Sequence, residues 1–187
     1  DAGQNERLLA RAIAAWAGDR AELTIVTKGG LVRPEGRWVA DGRASHLRSA
    51  CEASLSALGG LGVDLYLLHA PDPRTDFATS VRALARLRED GLVKAIGLSN
   101  VNVKLLEEAR ALAPIASLEA RVGPFDDRAI RGGVVERALG HGARVLAYSP
   151  LGGPAGARRC ARDPVLRAVA KDLDATPAEV MLAWLGS

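Results

Sequence analysis

Val26-Thr27-Lys28-Gly29 and Leu67-Leu68-His69-Ala70-Pro71 each carry a dense apolar run into a loop, with one ionisable side chain at the junction. An apolar run of four to six residues bounded by glycine or proline reads as a strand buried on both faces. A lysine and a histidine at the ends of two such strands point to a site assembled at one end of a sheet. The pair suits acid–base and electrostatic chemistry. Twenty-seven residues precede Lys28, and none is a tyrosine.

The same alternation extends outward in both directions. Strands are expected at residues 23–27, 63–68, 93–98, 115–118 and 144–147. Between them, apolar residues recur at helical spacing. Leu9, Ile13 and Trp16 mark one face over 5–17, and Leu47, Cys51, Leu55 and Leu58 mark another over 44–58. Phe77, Val81, Leu84 and Leu87 lead to Asp90-Gly91, where glycine can take a left-handed cap. Leu105, Leu106, Ala109 and Leu112 carry the next helix, and another is expected over 128–139.

Residues 29–42 hold four glycines, Pro34 and Trp38 and read as a loop, as does the glycine-rich stretch 152–160. Asp163-Pro164 and Thr176-Pro177-Ala178-Glu179 are helix starts, the second with a capping box. Val180, Met181 and Trp184 are expected core anchors of the last helix.

Strands alternating with helices predict a parallel sheet covered by helices. No Gly-x-Gly-x-x-Gly follows a strand, which weakens a dinucleotide-binding doubly wound sheet. The strands close instead on Lys28, His69, Ser99-Asn100, Glu119 and Tyr148-Ser149. In a (β/α)8 barrel those positions converge on one mouth. The expectation is therefore an α/β chain, a partial (β/α)8 TIM barrel with five of eight strands recognisable. It is expected to form a single domain over 1–187, incomplete at both ends, with uncovered sheet edges that favour self-association.

Composition narrows the function. The 187 residues carry 25 basic against 22 acidic side chains, a net charge of +3, with 4% aromatics. That balance lacks the basic, aromatic-studded stripe of a nucleic-acid platform. Two cysteines, Cys51 and Cys160, are too few for a metal motif and suit a reducing, cytoplasmic setting. No signal peptide or apolar run of membrane-spanning length is visible. Cys51 is expected to be a buried small residue, Asp64 to make a structural hydrogen bond and Tyr66 to pack in the core. His46 and His141 are expected to be exposed. Arg37 and Trp38 are candidates for one wall of a pocket.

The stretches together resemble the aldo-keto reductase family, of the bacterial type. Val26-Thr27-Lys28-Gly29-Gly30 is similar to its lysine strand, and Val63-Asp64-Leu65-Tyr66-Leu67-Leu68-His69 with Pro71-Asp72-Pro73 to its histidine strand. Residues 91–100, ending in Leu98-Ser99-Asn100, resemble its most recognisable segment. Ala147-Tyr148-Ser149-Pro150-Leu151-Gly152 resembles the segment after its seventh strand, and residues 176–184 the helix before its eighth. The resemblance runs from strand three to that helix.

It implies a (β/α)8 enzyme that reduces an aldehyde or ketone to an alcohol with NADPH, or with NADH, on a small-molecule substrate, without nucleic acid or membrane. By the same resemblance Lys28 would lower the pKa of a catalytic tyrosine, and His69 would orient the substrate carbonyl. Ser99, Asn100 and Glu119 would hold the nicotinamide amide, and Tyr148 would stack on its ring. Ser149, Leu151 and Gly152 would follow the pyrophosphate, with Arg158-Arg159 in the same stretch.

The departures are equally specific. Glu119 stands where the family has glutamine, and Gly3-Gln4-Asn5-Glu6 aligns Ala2 with the family's tyrosine. Asp1 lacks the spacing of the catalytic aspartate. The alternatives are a non-catalytic homologue that has lost the general acid, or one that runs an elimination or isomerisation on Lys28 and His69.

Overall fold

A computed structural model describes residues 3–186. The chain forms two compact units, one ending at Ser117 and the other beginning at Leu118.

The first unit contains α1 (Gln4–Ala15), β1 (Val26–Gly29), β2 (Leu31–Val32), β3 (Val39–Ala40), α2 (Ala44–Ala57), β4 (Leu65–Leu68), α3 (Phe77–Glu89), β5 (Ala95–Ser99) and α4 (Val103–Arg110). Strands β1, β4 and β5 are parallel neighbours in chain order, with Lys28 beside Leu67 and Leu67 beside Gly97. Chain order without reversal is the pattern of a barrel segment, not of a doubly wound sheet with a switch point. All four residues of β4 are buried, because it has a strand on either side and helices over it. Leu47 and Cys51 of α2 and Val81, Leu84 and Leu87 of α3 supply the covering layer, at the spacings the sequence displays.

Asp64 fixes the start of β4. Its carboxylate accepts from the Ile25 N–H at 2.7 Å and lies 3.1 Å from the Arg20 guanidinium and 2.6 Å from Lys94 Nζ. Burial alone would raise its pKa, but the Lys94, Ile25 and Arg20 donors outweigh that and hold it at about 2. Tyr66 is fully buried, its hydroxyl donating to Leu47 O at 3.4 Å.

The second unit contains β6 (Ser117–Arg121), α5 (Arg128–Arg131), α6 (Val134–Gly140), β7 (Arg144–Tyr148), α7 (Gly153–Arg162), α8 (Pro164–Asp172) and α9 (Pro177–Leu185). Asp163 caps α8 through two backbone N–H groups, and Thr176 with Glu179 forms the capping box of α9.

Several expectations change. The first strand starts at Val26 instead of residue 23, since pairing with β4 begins only there, and Lys28 therefore lies inside the strand. Residues 29–42 are not plain loop: β2 and β3 make a small antiparallel hairpin around a 3-10 turn at Pro34–Gly36. The stretch 152–160 is largely the helix α7, with Cys160 buried in it. The helix expected over 128–139 breaks at Gly132-Gly133, where Gly133 turns left-handed. Helix α1 buries none of its residues, and Trp16 and Trp184 are exposed, while Met181 is the buried anchor of α9. His46 is half-buried because its ring turns toward Asp41, with Nδ1 3.8 Å from the carboxylate.

Candidate active site

In the first unit, three consecutive strand ends are joined through the candidate residues themselves. The His69 N–H donates to Gly29 O at 2.8 Å, next to Lys28. The Asn100 amide donates to His69 O at 2.9 Å and to Ser99 Oγ at 3.1 Å. Asn100 sits at φ 59°, a left-handed turn that asparagine tolerates better than most residues and that ends β5 abruptly. Lys28, His69, Ser99 and Asn100 are thus set by backbone register.

Lys28 and His69 line one pocket of about 380 Å³, together with Trp38 and the apolar Leu31 and Ile25. The Trp38 ring centre lies 5.8 Å from that of His69, tilted by 59°. Trp38 comes from the hairpin, so that expected wall is present. Arg37 does not line the pocket; it is exposed and paired with Glu35 at 3.3 Å.

The hairpin is held at both ends. Asp41 N–H donates to Gly30 O at 2.9 Å. The buried Asp72 accepts from Gly42 N–H at 3.1 Å, from the Arg74 backbone at 3.0 Å and from Thr75 Oγ1 at 3.0 Å. Ser80 Oγ donates to Gly42 O at 2.7 Å, and Arg74 reaches Ala40 O. Burial of Asp72 favours its neutral form, but these donors overcome that and keep the carboxyl well below the usual range. Asp41 is held at about 2 by the Arg43 guanidinium 2.6 Å away. Composition and periodicity gave no sign of this lock, although Asp72 lies three residues after His69.

In the second unit, Ser149 and Gly152 line a cleft of about 290 Å³ with Arg121, Phe125 and Arg159. Ser149 and Gly152 both take left-handed φ, which turns the chain into the first turn of α7. A Cβ on Gly156 would meet Leu151 O at 2.2 Å, so this turn requires glycine. Arg159 lies 4.0 Å over the Phe125 ring, whereas Arg158 does not line the cleft. A helix N-terminus beside two arginines is suited to phosphate oxygens. Glu119 is buried within β6 instead of closing it, and Tyr148 is the last residue of β7. Of the Arg158-Arg159 pair that the sequence marked, only Arg159 lines the cleft; Arg121 and Phe125 escaped the sequence reading, because they are ordinary surface types until the fold brings them together.

Over residues 1–187 the sequence matches the aldo/keto reductase family. The chain belongs to that family. Among the curated relatives of this aldo/keto reductase chain, the aldo-keto reductase str7 of Strobilurus tenacellus is 34% identical over 152 residues, 80% of this chain and 44% of that protein. An uncharacterized oxidoreductase of Schizosaccharomyces pombe is 30% identical over 182 residues, 97% of this chain and 56% of its own length. The chain spans about half the length of such relatives.

Among solved structures, a thermostable aldo-keto reductase in complex with the inhibitor epalrestat is 33% identical, with a TM-score of 0.80 covering 98% of this chain and 63% of that one. The aldose reductase of Giardia lamblia is 27% identical, with a TM-score of 0.78 over 97% of this chain and 66% of that one. The fold is accordingly the partial (β/α)8 barrel that the sequence led us to expect, with five recognisable parallel strands.

The family's tyrosine position, Ala2, and Asp1 lie outside the described residues. No helix among the described residues is long and apolar enough to cross a membrane.

Proposed function

We propose that this aldo/keto reductase chain acts in NADPH-dependent reduction of an aldehyde or ketone to an alcohol, with NADH as the alternative donor. The observation that carries the reading is the shared pocket of Lys28 and His69, closed on one side by Trp38. The residues present fit the dinucleotide. The left-handed turn at Ser149 and Gly152, the close approach of Gly156 to Leu151 O and the two cleft arginines suit a diphosphate. By the family resemblance, Ser99 and Asn100 in the first unit are proposed for the nicotinamide amide; taken by itself, the second unit offers Glu119, Tyr148, Ser149, Leu151 and Gly152 as cofactor-binding candidates.

Bound there, the cofactor supplies the hydride. His69 holds the substrate carbonyl oxygen by a hydrogen bond, its backbone kept in place by the bonds to Gly29 and from Asn100. Lys28 places an ammonium beside the same pocket, where it stabilises negative charge growing on oxygen, and the proton that completes the alcohol reaches that oxygen from water through His69. Trp38 gives the planar carbonyl a flat wall and displaces water.

Tyr66 is not the proton donor of this scheme. It is fully buried, its hydroxyl faces Leu47 O, and burial raises its phenol further above the ordinary value near 10. The reading includes the bacterial type, a small-molecule carbonyl substrate and a cytoplasmic setting. The last is supported by two buried free thiols.

The test is titration with NADPH, followed by nicotinamide fluorescence, and then aldehyde-dependent loss of its absorbance. Lys28→Met and His69→Gln should each lower kcat by about 10²–10⁴ while cofactor binding persists. NADPH binding without turnover would favour the non-catalytic homologue. Elimination or isomerisation without NADPH would favour the altered reaction.

A further inference from the structure

The pocket wall is a tryptophan that burial does not hold. Trp38 is 61% exposed, yet its ring is set at a defined angle against His69. The group on it is Arg33, whose guanidinium carbon stands 4.4 Å from the centre of the Trp38 ring. We propose that Arg33 is a specificity-determining positioning residue: by stacking on Trp38 it keeps the indole against His69 and so limits the size of carbonyl compound that the Lys28–His69 pocket accepts. This rests on the carbonyl-reducing reading above.

The local chain is shaped for that contact. Leu31 pairs with Ala40 and Val32 with Val39, so Arg33 follows one strand of the hairpin while Trp38 leads into the other. Between them Glu35 is left-handed at φ 49°, which tightens the turn and brings the two side chains face to face. The Arg33 guanidinium also donates to Gly36 O at 3.2 Å, which orients its plane. Arg33 has no carboxylate partner among the described residues, whereas Arg37, next to Trp38, is taken by Glu35. Trp38 and His69 line the pocket and Arg33 does not, so its effect on substrate passes through the ring.

The two ring distances together keep the guanidinium within about 10 Å of the imidazole, and both groups contact the same indole. An exposed cation–π contact biases such a ring toward one position by about two- to five-fold. Released, the ring swings toward solvent and the pocket widens beside His69.

The experiment compares wild type with Arg33→Ala, Arg33→Lys, Trp38→Ala and the Arg33→Ala/Trp38→Ala double variant. The probes are benzaldehyde and the bulkier 4-phenylbenzaldehyde. Arg33→Ala should reduce the preference in kcat/KM for the smaller aldehyde by about two- to five-fold, through KM for the bulky one, with kcat for benzaldehyde retained. Arg33→Lys, still cationic, should fall between. Trp38→Ala should abolish the preference, and Arg33→Ala should add nothing in that background.

The His69 ring protons, assigned with His69→Asn, give a readout independent of turnover. They feel the Trp38 ring current and should move toward unstacked values in Arg33→Ala. An unchanged aldehyde preference, or His69 resonances that stay put in Arg33→Ala, would overturn the proposal. Absence of turnover with either aldehyde in wild type would count against the parent reading instead. Binding of the two aldehydes, followed on the same His69 resonances, then decides the size limit alone.

Discussion

Replacing Asp72 with asparagine should loosen the hairpin that carries Trp38, by an amount the hydrogen bonds allow to be worked out. The carboxylate accepts from two backbone N–H groups, Gly42 and Arg74, from Thr75 Oγ1 and from Arg74 Nε. Asparagine keeps one acceptor oxygen, enough for the Arg74 pair. Its NH₂ then faces the Gly42 N–H, where a donor meets a donor, while the Thr75 hydroxyl can turn to accept. Leaving the buried Gly42 amide without an acceptor costs about 1–3 kcal/mol. Losing the charge opposite Arg74, itself 66% exposed, adds no more than about 1 kcal/mol. The sum is roughly 1–4 kcal/mol.

The pH dependence has a definite sign. A carboxyl whose folded pKa lies below its unfolded value stabilises fully above the unfolded pKa, and that contribution fades as pH falls toward the folded one. Urea unfolding of wild type and Asp72→Asn at neutral pH and again below 3.8 should therefore show a deficit that shrinks in acid. Hydrogen exchange at the Gly42 amide should accelerate in the variant at neutral pH. An unchanged Gly42 exchange rate, or a deficit equal at both pH values, would refute the reasoning.

Asp64→Asn should cost about 2–3 kcal/mol at neutral pH, from a carboxyl lowered from 3.8 to about 2 at about 1.4 kcal/mol per unit. That cost should fade between those pH values, and urea midpoints measured across them decide it. Gly97→Ala puts a methyl 2.5 Å from Leu67 Cδ2 and 2.6 Å from Ser117 O. A loss of about 1–3 kcal/mol or more is expected in thermal unfolding, and a neutral result would mean β5 is not packed as described. Burial pushes the Cys51 thiol up to about 11, and Cys160 is also raised. Neither should react with iodoacetamide in the folded chain at neutral pH, and labelling as fast as in urea would contradict that.

Lys28 and His69 were legible because desolvation disfavours an ionisable side chain at the end of an apolar run unless a site needs it there. The order of the strands followed from the same runs. Helix α7 was not legible. Gly152, Gly153, Pro154 and Gly156 look like loop, yet two left-handed glycines and a proline in the first turn make a helix start. The helix buries only Cys160, so it leaves no apolar periodicity to read. Leu9, Ile13 and Trp16 do share a face, but a shared face says nothing of what covers it, and α1 buries none of them. The hairpin over 31–40 escaped for a different reason. Two-residue strands carry no detectable alternation, and their pairing is fixed by Asp72, some thirty residues away.

That attachment makes the hairpin a removable part. Its two ends meet at the Gly30–Asp41 bond, and the Asp72 lock grips Gly42, just beyond them. Everything from Leu31 to Ala40 therefore hangs from a fixed collar that Lys28 and His69 do not depend on for their own strand register. Insertions, deletions or whole replacements between those points can redraw the pocket wall while the reactive side chains stay put. In the laboratory it is a cassette: exchange residues 31–40, keep Gly30, Asp41, Gly42 and Asp72, and the substrate range should change on an unaltered base.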